Sequence, residues 1–158
     1  MGESTGIQWC DKTWSPWRGC AKVSPGCANC YAEKTAKRNP SVLGEWGPNG
    51  TRVINADWGA PLRWNREAEK SGKRFRIFPS LCDPFEKWDG LMMNTGGVKS
   101  ACDMRGIASD FFHLVEDTPS LDWMLLTKRP ENISLYWPLA PFGLRVMKNV
   151  YLYVSVEN

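Results

Sequence analysis

Short apolar runs separated by turn formers give the chain its pattern, and they read alternately as strands and helices. Phe75-Arg-Ile-Phe78, Trp123-Met-Leu-Leu126 and Val150-Tyr-Leu-Tyr-Val-Ser-Val156 are bounded apolar runs of strand length. Ile107, Phe111, Leu114 and Val115 recur at helical spacing until Pro119 ends the segment. Tyr31 to Arg38 is a run of good helix formers stopped by Asn39-Pro40, and Pro61 opens a helix to about Lys70 with Gly72 as its stop. Thr13 to Arg18 predicts an earlier strand, and Pro130 marks the start of a further helix. Ser41 to Asp57, which holds Gly44, Gly47, Pro48, Asn49 and Gly50, predicts a loop, and residues from about 79 to 104 read as an irregular insertion.

Strands alternating with helices predict an α/β fold with parallel strands, arranged as a partial, barrel-like (β/α) sheet in a single domain over residues 1–158. About four strands do not close a barrel, and a parallel sheet needs both faces covered. The strong strand at the end of the chain therefore predicts the N-terminal portion of a longer, incomplete domain. A chain of 158 residues buries roughly 68–70% of its unfolded surface, so a core forms without disulfides and the six cysteines are not needed as staples. The polar start Met1-Gly2-Glu3-Ser4-Thr5-Gly6 lacks the layout of a secretion signal, and no apolar run reaches the length of a membrane span. These features predict a cytoplasmic protein with reduced thiols and no membrane partner.

In a parallel α/β layout ligands gather at the C-terminal ends of the strands. The polar residues there are Ser80 and Asp83, then Thr127 and Lys128, then Ser155 and Glu157, which makes these six the candidate cofactor and substrate contacts. The sharpest chemistry lies in Gly19-Cys20-Ala-Lys-Val-Ser-Pro-Gly-Cys27-Ala-Asn-Cys30-Tyr31, a cysteine loop over residues 19–31. Cys27 and Cys30 stand at the first and fourth positions of a tight turn, and Pro25-Gly26 bends the chain back toward Cys20, so three soft ligands share one loop. A structural zinc wants four protein ligands, whereas a four-iron cluster can be held by three, which leaves one iron open. Cys10, Cys82 or Cys102 would complete a zinc site; His113, the only histidine, lies on an apolar helix and excludes a two-cysteine two-histidine finger. No nucleophile motif surrounds that histidine, and no glycine-rich turn leads into Lys-Ser or Lys-Thr, so triad hydrolysis and phosphate-loop chemistry find no support.

The three-cysteine loop leading into a helix resembles the radical S-adenosylmethionine superfamily, although that superfamily spaces its cysteines by three and then two. A closer resemblance spans nearly the whole chain. Ile7-Gln-Trp9, Thr13-Trp-Ser-Pro16, Gly19-Cys20, Lys22-Val-Ser-Pro-Gly-Cys27, Asn29-Cys-Tyr-Ala-Glu33, Leu125-Leu-Thr-Lys-Arg-Pro130, Asn149-Val150 and Val154-Ser-Val-Glu-Asn158 are similar to an uncharacterised phage and bacterial family described as radical-SAM-like. That family shares the six-and-two spacing. The resemblance implies a four-iron four-sulfur cluster on Cys20, Cys27 and Cys30, S-adenosylmethionine at the open iron, an electron donor as partner, and the host cytoplasm as location if phage-encoded. A looser likeness to spore photoproduct lyase makes nucleic acid a reasonable substrate class. Seven tryptophans in the first 90 residues, interleaved with Arg18, Lys34, Lys37, Arg38, Arg63, Arg66, Lys70, Lys73, Arg74 and Arg76, offer stacking and phosphate contacts. The competing expectation is a zinc-stabilised module that binds nucleic acid or a partner without catalysis.

Overall fold

The computed structural model describes residues 5–90, 92–95, 103–141 and 143–155. The elements run β1 (Lys12–Thr13), β2 (Trp17–Arg18), a 3-10 turn (Pro25–Asn29), α1 (Tyr31–Arg38), α2 (Pro40–Leu43), β3 (Arg52–Ile54), α3 (Gly59–Ser71), β4 (Phe75–Phe78), β5 (Met92–Met93), α4 (Met104–Glu116), β6 (Leu121–Thr127), a second 3-10 turn (Pro130–Asn132), α5 (Ile133–Tyr136), β7 (Leu139–Ala140), β8 (Gly143–Leu144) and β9 (Val150–Val154). The fold is mixed α/β. Its main sheet has the order β1-β4-β6-β9 with every pairing parallel, so all four strands end on the same side. A smaller sheet, β2-β3-β5, stands beside it, and β7 with β8 forms a two-stranded antiparallel pair.

The helices follow local signals. α1 covers the predicted Tyr31–Arg38, and α3 ends at Gly72, which adopts the left-handed conformation that glycine allows. α4 begins where the Asp103 carboxylate accepts a hydrogen bond from the Gly106 N–H at 2.8 Å. Two expectations are corrected. The strand expected over Thr13–Arg18 is broken into β1 and β2, which belong to different sheets. Pro16 has no N–H for a ladder, and the Ser15 hydroxyl accepts the Leu81 N–H at 3.0 Å, so the chain turns from one sheet to the other there. The loop expected over Ser41–Asp57 contains the end of α2 and all of β3, whose Arg52 is wholly buried.

On β6 the alternate residues Leu121, Trp123 and Leu125 are fully buried among Trp64 and Ala68 of α3 and Phe111, Leu114 and Val115 of α4. Trp14, Phe111 and Trp123 meet edge-to-face or stacked at 5.3 to 6.2 Å between ring centres. Their polar edges are satisfied: Trp14 Nε1 donates to the Asp57 carbonyl (2.8 Å), and Trp123 Nε1 to the Thr118 hydroxyl (3.0 Å). Trp17 joins Met92, Met104 and Ile107 in a second core cluster. Tryptophans 14, 17, 64 and 123 thus serve the core, and Arg63, Arg74 and Arg76 are engaged with Asp57, Asp122 and Asp11. β9 lies at an edge of the main sheet, with Tyr151, Leu152, Tyr153 and Val154 exposed. No helix among the described residues is long and apolar enough to cross a membrane.

The first pairing of the main sheet is pinned by Asp11. Its N–H donates to the Arg76 carbonyl (2.9 Å), while its carboxylate accepts from the Arg76 N–H (2.8 Å) and guanidinium (3.1 Å). The Arg76 contact holds the Asp11 carboxyl below the usual carboxylate range. A depressed carboxyl stabilises the fold fully above its unfolded pKa of about 3.9 and loses that contribution as pH falls through the lower folded value. Asp11→Asn is therefore expected to cost on the order of 1 kcal/mol at neutral pH. Urea titrations should show this deficit unchanged down to about pH 5 and closing below about pH 3.9, where the wild type loses the same interaction.

Candidate metal centre

The cysteine loop leaves β2 through Gly19, whose φ is +122° and whose missing Cβ would stand 2.7 Å from the Thr51 carbonyl oxygen and 2.8 Å from Arg52 Cδ. Both the backbone conformation and the close approach require glycine. Cys20 follows, its carbonyl accepting the Gly47 N–H at 3.1 Å. The chain then enters the Pro25–Asn29 turn, where the Cys27 N–H bonds the Ser24 carbonyl (3.0 Å) and the Cys30 N–H bonds the Cys27 carbonyl (3.3 Å). Cys30 is the residue that caps α1, so Cys27 and Cys30 sit at the N-terminal end of that helix. Tyr31 ties this helix start to the end of β4 by donating its hydroxyl to the Ser80 carbonyl (3.0 Å).

Cys20, Cys27, Cys30 and Trp46 line two cavities, of about 400 Å³ and about 300 Å³, both of a size suited to small ligands. The second reaches the C-terminal ends of β4 and β6, and Ser80, Cys82, Asp83, Thr127 and Lys128 line it, facing Tyr31, Phe78 and Leu126. Four of the six residues expected from strand ends therefore share a wall with all three loop cysteines. Ser155 adjoins them, its hydroxyl accepting a 2.8 Å hydrogen bond from Lys128 Nζ. Glu157 and Cys102 lie outside the described residues. Cys10, Cys20, Cys27, Cys30 and Cys82 are free thiols. Among the described residues, no three thiol, imidazole or carboxylate groups are already drawn together around one point as a finished metal site. The donor chemistry is nonetheless that of a soft metal, with three thiols from one loop on the wall shared by two cavities.

Sequence reasoning missed the support behind this loop. Arg52, Glu86, Arg129 and Asp83 form a buried chain of alternating charges, with Arg52 0% and Glu86 1% exposed. Arg52 grips the two oxygens of Glu86, each at 2.8 Å, and its guanidinium lies over the Trp88 ring, 3.7 Å from the centre. Glu86 Oε1 also accepts the Ala21 N–H (2.8 Å) and, at 3.4 Å, Arg129 Nη2. Arg129 Nη2 donates to the Ala21 carbonyl (2.7 Å), and its Nη1 donates to Asp83 (2.9 Å) and reaches the Cys20 sulfur at 3.5 Å. Asp83 further accepts from the Phe85 N–H, the Thr127 hydroxyl and the Lys128 N–H. It is thus a structural hub as much as a cavity wall. The residue after Cys20 is held by opposite charges at its N–H and its carbonyl.

The cysteines differ electrostatically. Burial and the Glu86 carboxylate push the Cys20 thiol up to about 12, against the pull of Arg129. At Cys27 burial also pushes up, but hydrogen bonds at Val23 and Ser24 and the Lys128 charge outweigh it and leave the thiol below its ordinary value. Burial raises Cys82 well above its ordinary value. The pair Cys20 and Cys82 therefore stays protonated at neutral pH unless a cation joins it.

Breaking a buried ion pair by removing one partner leaves an uncompensated charge. Glu86→Gln is expected to lower unfolding free energy by about 3–5 kcal/mol. Arg52→Met combined with Glu86→Gln should cost clearly less than the sum of the two single changes, a coupling that urea denaturation of the four proteins would read. No curated protein and no solved structure matches the chain. A family model described as a protein of unknown function, DUF5131, matches residues 4–158, and the chain belongs to that family.

Proposed function

We propose that the chain is a radical-SAM-like iron-sulfur protein in which Cys20, Cys27 and Cys30 hold a four-iron four-sulfur cluster. The observation that carries this reading is the shared wall: three thiols from one loop border a cavity at the C-terminal ends of parallel strands, where α/β folds take their ligands. In this reading the four-stranded sheet is part of a barrel-like arrangement, and the cavity lined by Ser80, Asp83, Thr127 and Lys128 takes S-adenosylmethionine and substrate. When bound, such a cluster supplies the electron that cleaves a sulfonium bond, and an external electron donor becomes a necessary partner.

The protein's own residues have separable tasks. Lys128, steadied by Ser155, places a cation on the cavity wall beside Cys27, suited to an anionic ligand group. Tyr31 and Phe78 offer flat faces, and the exposed Trp9 packs on Phe78 at 4.5 Å, which supports a nucleobase-bearing substrate and hence nucleic acid. A second reading is favoured by Cys82, which lines the same cavity as the three loop cysteines and is the fourth thiol a structural zinc wants. The chain would then be a zinc-stabilised binding module.

Anaerobic reconstitution with iron and sulfide, followed by iron, sulfide and zinc analysis, separates the two. The cluster reading predicts about four irons and four sulfides per chain with thiolate-to-iron absorbance. It also predicts loss of both in Cys20→Ala, Cys27→Ala and Cys30→Ala, and retention in Cys10→Ala and Cys82→Ala. One zinc per chain, lost equally in Cys82→Ala, overturns it in favour of the binding module.

A further inference from the structure

Arg129 is buried, and its guanidinium lies between the cysteine loop and the two carboxylates behind it. Its backbone is fixed by an N–H bond to the Thr127 hydroxyl (2.9 Å), directly after β6. Its Nη1 is shared between Asp83 (2.9 Å) and the Cys20 sulfur (3.5 Å), and its Nη2 between the Ala21 carbonyl (2.7 Å) and Glu86 (3.4 Å). A guanidinium is planar, so anchoring one edge on carboxylates fixes where the other edge points. Here the free directions fall on the sulfur of Cys20 and on the carbonyl of the next residue. The Cys27 sulfur, by contrast, meets the neutral Ser24 hydroxyl at 3.6 Å.

We propose that Arg129 is a positioning residue of the metal centre, which fixes the Cys20 ligand in place and stabilises negative charge on its sulfur. The proposal rests on the three-thiolate reading. A thiolate at Cys20 would be repelled by two carboxylates, Asp83 and Glu86, both hydrogen-bonded to the same guanidinium that reaches its sulfur. Arg129 lies between them and the sulfur and offsets that repulsion. A donor and a positive charge at a cluster thiolate also withdraw electron density, so they favour the reduced cluster and raise its potential. Lysine in its place keeps a charge but cannot hold the sulfur, the carbonyl and both carboxylates with one plane.

The test uses the full chain, reconstituted anaerobically with iron and sulfide, as wild type, Arg129→Lys, Arg129→Gln and the pair R129M/D83N. The paired variant removes a cation and an anion together, so it guards against misfolding caused by a lone buried charge. Thermal melts followed by circular dichroism identify which variants fold. Expected for the folded Gln and paired variants is a midpoint potential shifted to more negative values and a loss of metal to a chelator about 10–100 times faster than in wild type. The Lys variant should fall between. Folded variants with wild-type potential and wild-type metal retention overturn the proposal while leaving the cluster reading intact. If the wild type takes zinc and no cluster, the cluster reading fails, and zinc retention in the same variants still decides whether Arg129 holds Cys20: faster loss supports the hold, equal loss refutes it.

Discussion

Four buried charges carry the architecture of the candidate site. Arg52, Glu86, Arg129 and Asp83 come from β3, from the segment after β4, and from the end of β6, and their alternation makes a neutral set in which each ion has a hydrogen-bonded counterpart. Taking such charges out of water is unfavourable by several kcal/mol per ion, so the arrangement persists only if all partners are in place at once. That all-or-none character lets the network fix position. The loop from Gly19 to Tyr31 has few apolar anchors of its own, and its backbone is located by Glu86 at the Ala21 N–H and Arg129 at the Ala21 carbonyl. Gly47 adds a hold on the Cys20 carbonyl, and Arg52 reaches the Gly47 carbonyl in turn.

The aromatic core and the charge network divide the work. Trp14, Trp64, Phe111 and Trp123 weld α3 and α4 to one face of the sheet and supply most of the apolar burial. The network works at the C-terminal strand ends, where it joins the main sheet to the smaller one through Arg52 of β3. Rigid strands thus deliver Ser80, Thr127 and Lys128 to the same cavity as a loop that begins in another sheet. Parallel pairing is what makes this possible, because all four strands of the main sheet finish on one side.

Much of this was legible in the sequence wherever the signal was local. Tyr31–Arg38 is a helix because its residues favour one and Asn39-Pro40 ends it, and Trp123–Leu126 is a buried parallel strand because nothing polar interrupts it. Cys20, Cys27 and Cys30 line the cavity that Ser80, Asp83, Thr127 and Lys128 also line, while no three thiol, imidazole or carboxylate groups among the described residues gather as a metal site. The rest depended on distant partners. Arg52 reads as a loop residue until Glu86, 34 positions away, neutralises it. Thr13–Arg18 reads as one strand, yet Trp14 and Trp17 pack into different clusters, which no local pattern shows. Asp83 read as a ligand contact, and its four hydrogen bonds to protein groups give it a structural duty that no local pattern shows.

In the proposed reading, these constraints hold the three thiols of one loop beside a ligand cavity, and one open iron among four is the core of the account. Mössbauer spectroscopy of the chain reconstituted with ⁵⁷Fe, before and after S-adenosylmethionine, addresses it most directly. The account predicts that roughly a quarter of the iron changes its parameters on addition while the remainder does not, as one open iron among four requires. Iron that stays uniform and indifferent to S-adenosylmethionine, or a protein that takes up no iron, would contradict it.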